Sequence, residues 1–213
     1  MITNSDRQAS PLHLSLIEKL NRLHPDTTPM LSFRNPFELL VAVILSAQCT
    51  DAKVNEVTPV LFRAFPDPAS LGAASLPVVE RIIYSTGFYH EKALHIIATA
   101  ALIHSTYADE VPMGMEELTA LPGVGRKTAN VVRGQVAGLP GIIVDTHFKR
   151  VTRRLGMTEE TEPLKIERDL LSWVPETLQY PFSMSANRHG RAYCHARNPR
   201  CGECPVQKLC PSG

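Results

Sequence analysis

Near the C-terminus, four cysteines follow one another at intervals of six, two and five residues: Cys194, Cys201, Cys204 and Cys210. Thiols grouped in this way form disulfides, bind zinc or hold an iron-sulfur cluster. A reducing compartment disfavours disulfides, which makes the thiols metal ligands in a cytosolic chain. Structural zinc sites typically combine two short Cys pairs, and only Cys201 and Cys204 form one here. Iron-sulfur clusters accept four cysteines at irregular spacing.

A second stretch, LTALPGVGRKTANVVRGQVAG at residues 118–138, places two glycines directly before a predicted helix. Gly123 and Gly125 allow backbone amides to point outward together, and the helix beginning at Arg126 adds its positive N-terminal end. These features predict a site for a phosphate. The turn is not a nucleotide-binding P-loop, which has four residues between its glycines and a lysine directly after the second. A tight connection between two helices is the alternative interpretation.

Basic residues are concentrated, although the net charge of the 213 residues is only +1. Between Leu121 and Leu155 the single acidic residue is Asp145, and the basic residues are Arg126, Lys127, Arg133, Lys149, Arg150, Arg153 and Arg154. A second basic group without acidic neighbours consists of Arg188, Arg191, Arg197 and Arg200. Such a polarised surface suits a phosphate backbone, whereas a solvated face is the alternative for any single run of charges.

The elements that must position these residues are predicted to be helices. Apolar residues recur every three or four positions, and no stretch alternates with a period of two. Two examples are the sets Leu94, Ile97, Ala101 and Leu102, and Phe148, Val151 and Leu155. The run Ile142 to Val144 resembles a strand but is too short to build a sheet. We expect Pro59 to end or kink a helix and Cys49 to be a small core residue within an apolar helix.

The composition bears on compartment and domain number. We find no basic and then apolar leader, and the apolar stretch at residues 37–47 is too short to cross a bilayer. These observations favour a soluble, cytosolic chain. Its length is compatible with one or two domains.

Three segments together resemble one family. LPGVGRKTANVV at residues 121–132 is followed by VDTH at 144–147 and then by the cysteine spacing described above. This arrangement is similar to the endonuclease III family of DNA glycosylases with an associated lyase activity, in the helix-hairpin-helix glycosylase superfamily. ILSAQCTD at 44–51 and STGFYHEKA at 85–93 match further characteristic segments. The similarity extends from about Pro36 to the C-terminus.

The resemblance implies an all-α fold of two helical domains with a helix-hairpin-helix motif and a C-terminal cluster loop. The helical barrel domain would span residues 28–139, and the iron-sulfur cluster domain residues 1–27 and 140–213. DNA would bind in the cleft between the two domains. By the same resemblance a [4Fe-4S] cluster is the cofactor, and it orders a loop that presents Arg197 and Arg200 to DNA. Its ligands would be Cys194, Cys201, Cys204 and Cys210.

The resemblance also implies catalytic roles for Lys127 and Asp145. An amine that attacks C1′ of a flipped nucleotide expels the base and forms a Schiff base, from which elimination cuts the strand. Lys127 lies in the first turn of a predicted helix, where the dipole disfavours a positive charge. Asp145 precedes another predicted helix and suits its N-cap. It is also the catalytic carboxylate of the family, and one oxygen could assist proton transfer or stabilise positive charge at the sugar.

Further positions match the DNA contacts of the family. Gln48 corresponds to an inserted glutamine that fills the space left by the flipped base, and Phe88 to an apolar wedge on the opposite strand. The remaining predicted contacts are Gly123, Val124, Gly125, Arg126, His147, Lys149, Arg153, Arg197 and Arg200. One segment departs from the family, because SMSANR at residues 183–188 stands where relatives have a largely apolar run.

The resulting prediction is a base-excision-repair glycosylase and abasic-site lyase that removes oxidised pyrimidines. Its partner would be double-stranded DNA with damaged bases or abasic sites, with no membrane involved. We expect a monomer located in the cytoplasm at the nucleoid. The alternative is a non-enzymatic DNA-binding protein that carries an iron-sulfur cluster on the same scaffold.

Overall fold

The structure is a computed structural model that describes residues 10–213. Within this range the regular elements are eleven α-helices and three short 3-10 turns, without a strand, which confirms the predicted all-α fold. Two compact units divide the chain. We call Pro29–Ala137 the central unit, and the described residues up to Thr28 together with Gly138–Gly213 the terminal unit. The predicted domain limits stay a prediction, and residues 1–9 of the predicted cluster domain lie outside the described residues.

The central unit contains seven helices, and the first of them along the chain is buried and apolar except for Glu38. They are α2 (Pro36–Leu45), α3 (Asp51–Ala64), α4 (Pro68–Gly72), α5 (Leu76–Ile83), α6 (Tyr89–Tyr107), α7 (Met115–Ala120) and α8 (Arg126–Ala137). Every residue of α2 after its first proline is buried, and α2 packs against α3, α6 and α8. A helix that is apolar on all sides must lie in the interior of a unit.

Prolines and polar caps define where these helices begin. Asn35 caps α2 by accepting the Glu38 N–H at 2.9 Å, and Pro36 follows at a position that has no helical partner for an N–H. Thr50 caps α3 in the same way, and Asp67 and Ser70 form a capping box at α4. The caps explain why the proline-rich stretches of this sequence separate helices rather than prevent them.

The terminal unit contains four longer elements: α1 (Pro11–Leu23), α9 (Thr146–Arg154), α10 (Pro163–Leu171) and α11 (Glu176–Ala192). Helix α11 packs against both α1 and α9. The core is built from their apolar faces, including the predicted set Phe148, Val151 and Leu155. Cys194, Cys204 and Cys210 pack against this core, so the cysteine-rich segment lies on the body of the unit.

The expectation for Cys49 was wrong. Cys49 lies beyond the end of α2 and is only partly buried, so it is not a core residue of that helix. Pro59, which was expected to end or kink a helix, lies inside α3 and does not end it. The run at residues 142–144, expected to be too short for a sheet, forms no strand, and Ile142 and Ile143 are buried.

The buried face of α6 differs from the predicted one by one residue. Leu94 and Leu102 are each 40% exposed, whereas the structure buries Ala93, Ile96, Ala100 and Ile103. Helix α6 packs against α4 and α5, and the small alanines allow close approach: a Cβ added at Gly72 would lie 2.8 Å from the backbone of Ala101. Close packing, rather than side-chain size, determined which stripe is buried.

Among the described residues, no helix is both long and apolar enough to cross a membrane.

Candidate metal centre and nucleic-acid interface

The four predicted cysteines line one cavity of about 220 Å³ in the terminal unit. All four are free thiols, and the cavity wall between them is apolar, with Val151, Leu155 and Val206 among its residues. Among residues 10–213, no group of three His, Cys, Asp or Glu side chains is placed to hold a single metal ion. The cavity volume is many times the roughly 10–15 Å³ that holds one water-sized body. Four thiols around a volume of this kind fit a cluster of several atoms.

Nitrogen donors approach two of these sulfurs. The His189 Nε2 lies 3.4 Å from Cys204 Sγ, and the Arg154 Nη1 lies 3.3 Å from Cys194 Sγ. Burial raises the pKa of the Cys204 thiol, and burial together with His24 lowers the pKa of His189 to about 4. His189 is therefore neutral at neutral pH and has one N–H to donate. Hydrogen bonds to ligand sulfurs are a principal means by which a protein tunes an iron-sulfur cluster.

Two arginines of α9 attach the cysteine-rich segment to this helix. The Arg150 Nε donates to the Cys194 carbonyl at 2.7 Å, and its Nη2 donates to the Gly190 carbonyl at 2.9 Å. The Arg154 Nη1 donates to the His195 carbonyl at 2.7 Å. The sequence interpretation counted both arginines as part of a basic surface. The structure shows that they bind carbonyls of the terminal unit, a role that the spacing i and i+4 on one helix face permits.

In the central unit, the glycine turn between α7 and α8 is anchored from the inside. Thr99 Oγ1 donates to the Pro122 carbonyl at 2.8 Å, and the Val124 N–H donates to the Leu121 carbonyl at 3.1 Å. The Val124 side chain is 6% exposed. The amide and side chain of Val124 both support the turn, and its predicted role as a DNA contact stays a prediction.

The two glycines of the turn have different reasons to be glycine. Gly123 has a φ of +75°, and a Cβ there would lie 2.9 Å from the Cβ of His95. Gly125 has no neighbour within 4 Å of an added Cβ, and its carbonyl accepts the Ala129 N–H at 3.0 Å. Gly123 is thus required by the fold. Gly125 leaves open space on the outer side of the turn, where a phosphate would approach.

Lys127 lies in the first turn of α8, as predicted, and is exposed beside exposed Arg126. Later in the helix, Val131 and Val132 are buried as expected, but Val136 is 37% exposed. The buried face of α8 therefore holds the helix in the unit and leaves its first turn accessible. An accessible amine at a helix N-terminus, next to a glycine turn, has the placement that attack on a nucleotide requires.

Asp145 is the N-cap of α9, as predicted. Its Oδ1 accepts the Phe148 N–H at 2.7 Å, and its Oδ2 accepts a hydrogen bond from the Asn187 amide.

His147 is partly buried, and burial is the main cause that lowers its pKa, while Asp145 opposes the shift. Its Nδ1 accepts from the Arg150 Nη2 at 3.1 Å, which leaves Nε2–H as its donor.

The other predicted DNA contacts occupy accessible positions. Arg153, Arg197 and Arg200 are exposed, and Lys149 is partly buried. Lys149 and Arg153 line an open groove along α9, with a volume of about 570 Å³, together with Thr146 and Arg150. In the central unit, Gln48 and Phe88 are exposed, and both have left-handed backbone angles, with φ of 52° and 47°.

Sequence reasoning did not assign a role to His189. Asn187 was recognised only as a departure from the family. His189 contacts Cys204, 15 residues away, and Asn187 contacts Asp145, 42 residues away, and no local pattern indicates such contacts.

The comparisons with known proteins place this helical chain, with its glycine turn, accessible lysine and cysteine-lined cavity, in a class of DNA repair proteins. The model of the HhH-GPD superfamily of base excision DNA repair proteins matches residues 41–176, and that of the iron-sulfur binding domain of endonuclease III matches residues 194–210. The endonuclease III of Synechocystis sp. is 49% identical over 194 residues, which cover 91% of this chain and 89% of the relative. The endonuclease III of Escherichia coli strain K12 is 40% identical over 197 residues, which cover 92% and 93%.

The structural comparison agrees. A solved structure of a trapped endonuclease III-DNA covalent intermediate has a TM-score of 0.88 and 39% identity, covering 100% of this chain and 97% of that one. The chain belongs to the endonuclease III family of the HhH-GPD superfamily. It carries a [4Fe-4S] cluster as its cofactor.

Proposed function

We propose that this chain, a base-excision DNA glycosylase with abasic-site lyase activity, removes oxidised pyrimidines from double-stranded DNA. The observation that carries the proposal is the exposed Lys127 amine in the first turn of α8, directly after the glycine turn. A relative has been trapped as a covalent intermediate with DNA, which requires a nucleophile on the protein.

Lys127 is the nucleophile of the proposed reaction. Its neutral amine attacks C1′ of the flipped nucleotide, a bond forms between Nζ and C1′, and the bond from C1′ to the base breaks. The base leaves with the electron pair and takes up a proton. Nζ then loses a proton, the C1′–O4′ bond breaks as O4′ takes up a proton, and a protonated Schiff base forms between Lys127 and C1′. Loss of a proton from C2′ breaks the C3′–O bond and cuts the strand.

Asp145 is the carboxylate that supports these proton transfers. Its two oxygens are held by the Phe148 N–H and by Asn187, so the carboxylate has a defined orientation. A carboxylate retains free lone pairs after accepting two hydrogen bonds and could accept a proton or stabilise positive charge at the sugar. Its place at the start of α9 therefore combines a capping role with the proposed catalytic role.

Access to the damaged base requires flipping, and the space that it leaves must be filled. We assign this role to Gln48 and Phe88. Their side chains are exposed, and their backbone φ angles lie in the left-handed region, at the ends of helical segments. The DNA backbone is bound by the outer side of the turn at Gly123 and Gly125, and by Arg126, His147, Lys149, Arg153, Arg197 and Arg200.

The [4Fe-4S] cluster is held in this proposal by the four cysteines that line the cavity, Cys194, Cys201, Cys204 and Cys210. When bound, it supplies a rigid link between the ends of the cysteine-rich segment. The exposed arginines of this segment, Arg197 and Arg200, are then presented in one arrangement. The cluster has no step in the base chemistry.

Two further assignments belong to the proposal: the protein acts as a monomer, and it works on the nucleoid in the cytoplasm. The alternative of a non-enzymatic DNA-binding protein is not favoured. Relatives that are 40% and 49% identical over nine-tenths of the chain are named endonuclease III. This chain has both the Lys127 amine and the Asp145 carboxylate that the proposed reaction needs.

The test is a duplex containing one oxidised pyrimidine, incubated with the purified protein and borohydride. The expected result is strand cleavage without borohydride and a covalent protein-DNA adduct with it, mapped by mass spectrometry to Lys127. Lys127→Gln should abolish the adduct and retain DNA binding, because the amide keeps a polar side chain of similar length. An adduct of full yield in this variant would assign the reaction to another amine.

A further inference from the structure

The stretch at residues 183–188 of α11 contains four polar side chains, and each of them has a specific partner. Ser183 Oγ accepts the Ile143 N–H at 2.9 Å, and Ser185 Oγ donates to Asn21 Oδ1 at 2.7 Å. Arg188 Nη2 pairs with Asp26 at 2.6 Å. The first three contacts join α11 to neighbouring segments of the terminal unit. The contact of Asn187 differs, because its partner is the proposed catalytic carboxylate.

We propose that Asn187 is a positioning residue for Asp145, on the basis of the proposed function above. The Asn187 Nδ2 donates to Asp145 Oδ2, while the Phe148 N–H holds Oδ1 at 2.7 Å. One hydrogen bond to each oxygen leaves the carboxylate a single rotamer. Without the Asn187 contact, only the helix cap would restrain Asp145, and rotation about the bond from Cβ to the carboxyl carbon would exchange the oxygens.

The amide of Asn187 has only one orientation that satisfies both neighbours. The Arg191 Nε donates to Asn187 Oδ1 at 3.0 Å, and a guanidinium has no acceptor. An ionised carboxylate has no donor, so Asp145 must face the NH₂ group. Reversing the amide would oppose two donors on one side and two acceptors on the other. Arg191 thus fixes Asn187, and Asn187 fixes Asp145.

A glycine on the same face of α11 brings the two helices close enough for this contact. Gly190 follows Asn187 by three residues, and a Cβ there would lie 2.9 Å from the Cβ of His147 at the start of α9. The Arg150 Nη2 also donates to the Gly190 carbonyl at 2.9 Å. The approach of α11 to the first turn of α9 is therefore held at Gly190, one helical turn after Asn187.

The consequence concerns the rate of the chemical step rather than DNA affinity. A hydrogen bond to a charged group is stronger than a neutral one, and an orientation that serves the transition state affects the rate once substrate is bound. Asn187 itself does not take part in the proton transfers. An apolar residue at this position would leave Asp145 with its cap alone.

The experiment compares Asn187→Leu and Asn187→Asp with Asn21→Asp as the matched control. Asn21 lies in the same unit, and the substitution keeps the Oδ1 that Ser185 binds while adding the same charge. The readouts are the single-turnover rate of base excision and, separately, the affinity for a duplex with an uncleavable abasic analogue. We expect both Asn187 variants to lose about tenfold or more in rate, the typical worth of a hydrogen bond to a charged group, with little change in affinity. Asn21→Asp should retain the wild-type rate.

Asn187→Asp should be the slower of the two Asn187 variants, because its carboxylate faces Asp145 and repels it, while Arg191 keeps its acceptor. This substitution hardly changes the size of the side chain, so it answers the question even if Asn187→Leu does not fold. Rates equal to that of the wild-type protein in Asn187→Asp would overturn the proposal.

A double-mutant cycle separates this proposal from the proposed function. If Asn187 acts through Asp145, neither Asn187 substitution should slow the Asp145→Asn variant further. A full additional loss in that background, or a loss of DNA affinity that accounts for the rate, would show that Asn187 has another role. Wild-type turnover in Asp145→Asn alone would instead contradict the role of Asp145 in the proposed function.

Discussion

The guanidinium of Arg154 donates to the sulfur of Cys194, with 3.3 Å between Nη1 and Sγ. The contact joins α9 to the first of the four cysteines. Because Asp145 caps the same helix, the proposed catalytic carboxylate and the support of the proposed cluster site lie on one rigid element. Changes at the cluster site should therefore alter the position of α9.

Loss of one cysteine ligand should remove the cluster, whereas loss of the fifth cysteine should not. Cys204→Ser is expected to lose iron, inorganic sulfide and brown colour, because oxygen replaces one of four thiolates. Cys49→Ser is the matched control, since Cys49 lies in the other unit and outside the cavity. Iron, sulfide and zinc analysis of anaerobically purified protein checks the prediction. Stoichiometric zinc without iron in the wild-type protein would refute the cofactor assignment.

Two adjacent arginines should respond in opposite ways to the same substitution. Arg154→Gln is expected to lose the cluster faster in the presence of a chelator, because the contacts to Cys194 and to the His195 carbonyl are weakened. Arg153→Gln should keep the cluster but bind DNA more weakly, because Arg153 is exposed. Removing one phosphate contact should reduce the slope of log affinity against log salt by about 0.9. Cluster loss in Arg153→Gln and weaker DNA binding in Arg154→Gln would contradict this assignment of the two arginines.

The glycines of the turn should separate stability from DNA binding. Gly123→Ala is expected to lower the free energy of unfolding by about 1–3 kcal/mol, because its φ of +75° strains an alanine and His95 blocks the added methyl. Gly125→Ala should change stability by less than about 0.5 kcal/mol, since nothing lies within 4 Å of the methyl. It should nevertheless weaken binding to any duplex equally, because backbone contacts carry no sequence information. Unaltered DNA affinity in Gly125→Ala would show that the DNA backbone does not bind at this turn.

At Gln48 and Phe88, glycine should be more stabilising than alanine but no better for function. An L-residue in the left-handed region costs roughly 1–2 kcal/mol, so Phe88→Gly should be more stable than Phe88→Ala by about 1 kcal/mol. Both should excise a base from duplex DNA slowly, yet cleave an abasic site in a flexible single strand at a nearly normal rate, because less stacking must be replaced there. Denaturation and cleavage of the two substrates check this. Equal losses on both substrates would assign the two residues to folding.

Local spacing was enough to predict the class of fold and the motifs. The helical period, the glycine turn before α8, the cap at Asp145 and the cysteine intervals all depend on residues within a few positions of one another. They led to the all-α fold, the family and the cofactor, which the structure and the comparisons confirm. The same local reasoning misplaced Cys49, because helix ends depend on the neighbours against which a segment packs.

Contacts between distant residues were decided only by the tertiary structure. The sequence shows Arg150 and Arg154 as two charges in a basic run, but their partners lie about 40 residues later, in the segment around Cys194. Asn187 is 42 residues from Asp145, and the contact exists because Gly190 lets α11 approach α9. The buried stripe of α6 likewise depends on how closely α4 packs. A pattern of residue types specifies which side chains need partners, whereas close packing of whole helices decides which partners they meet.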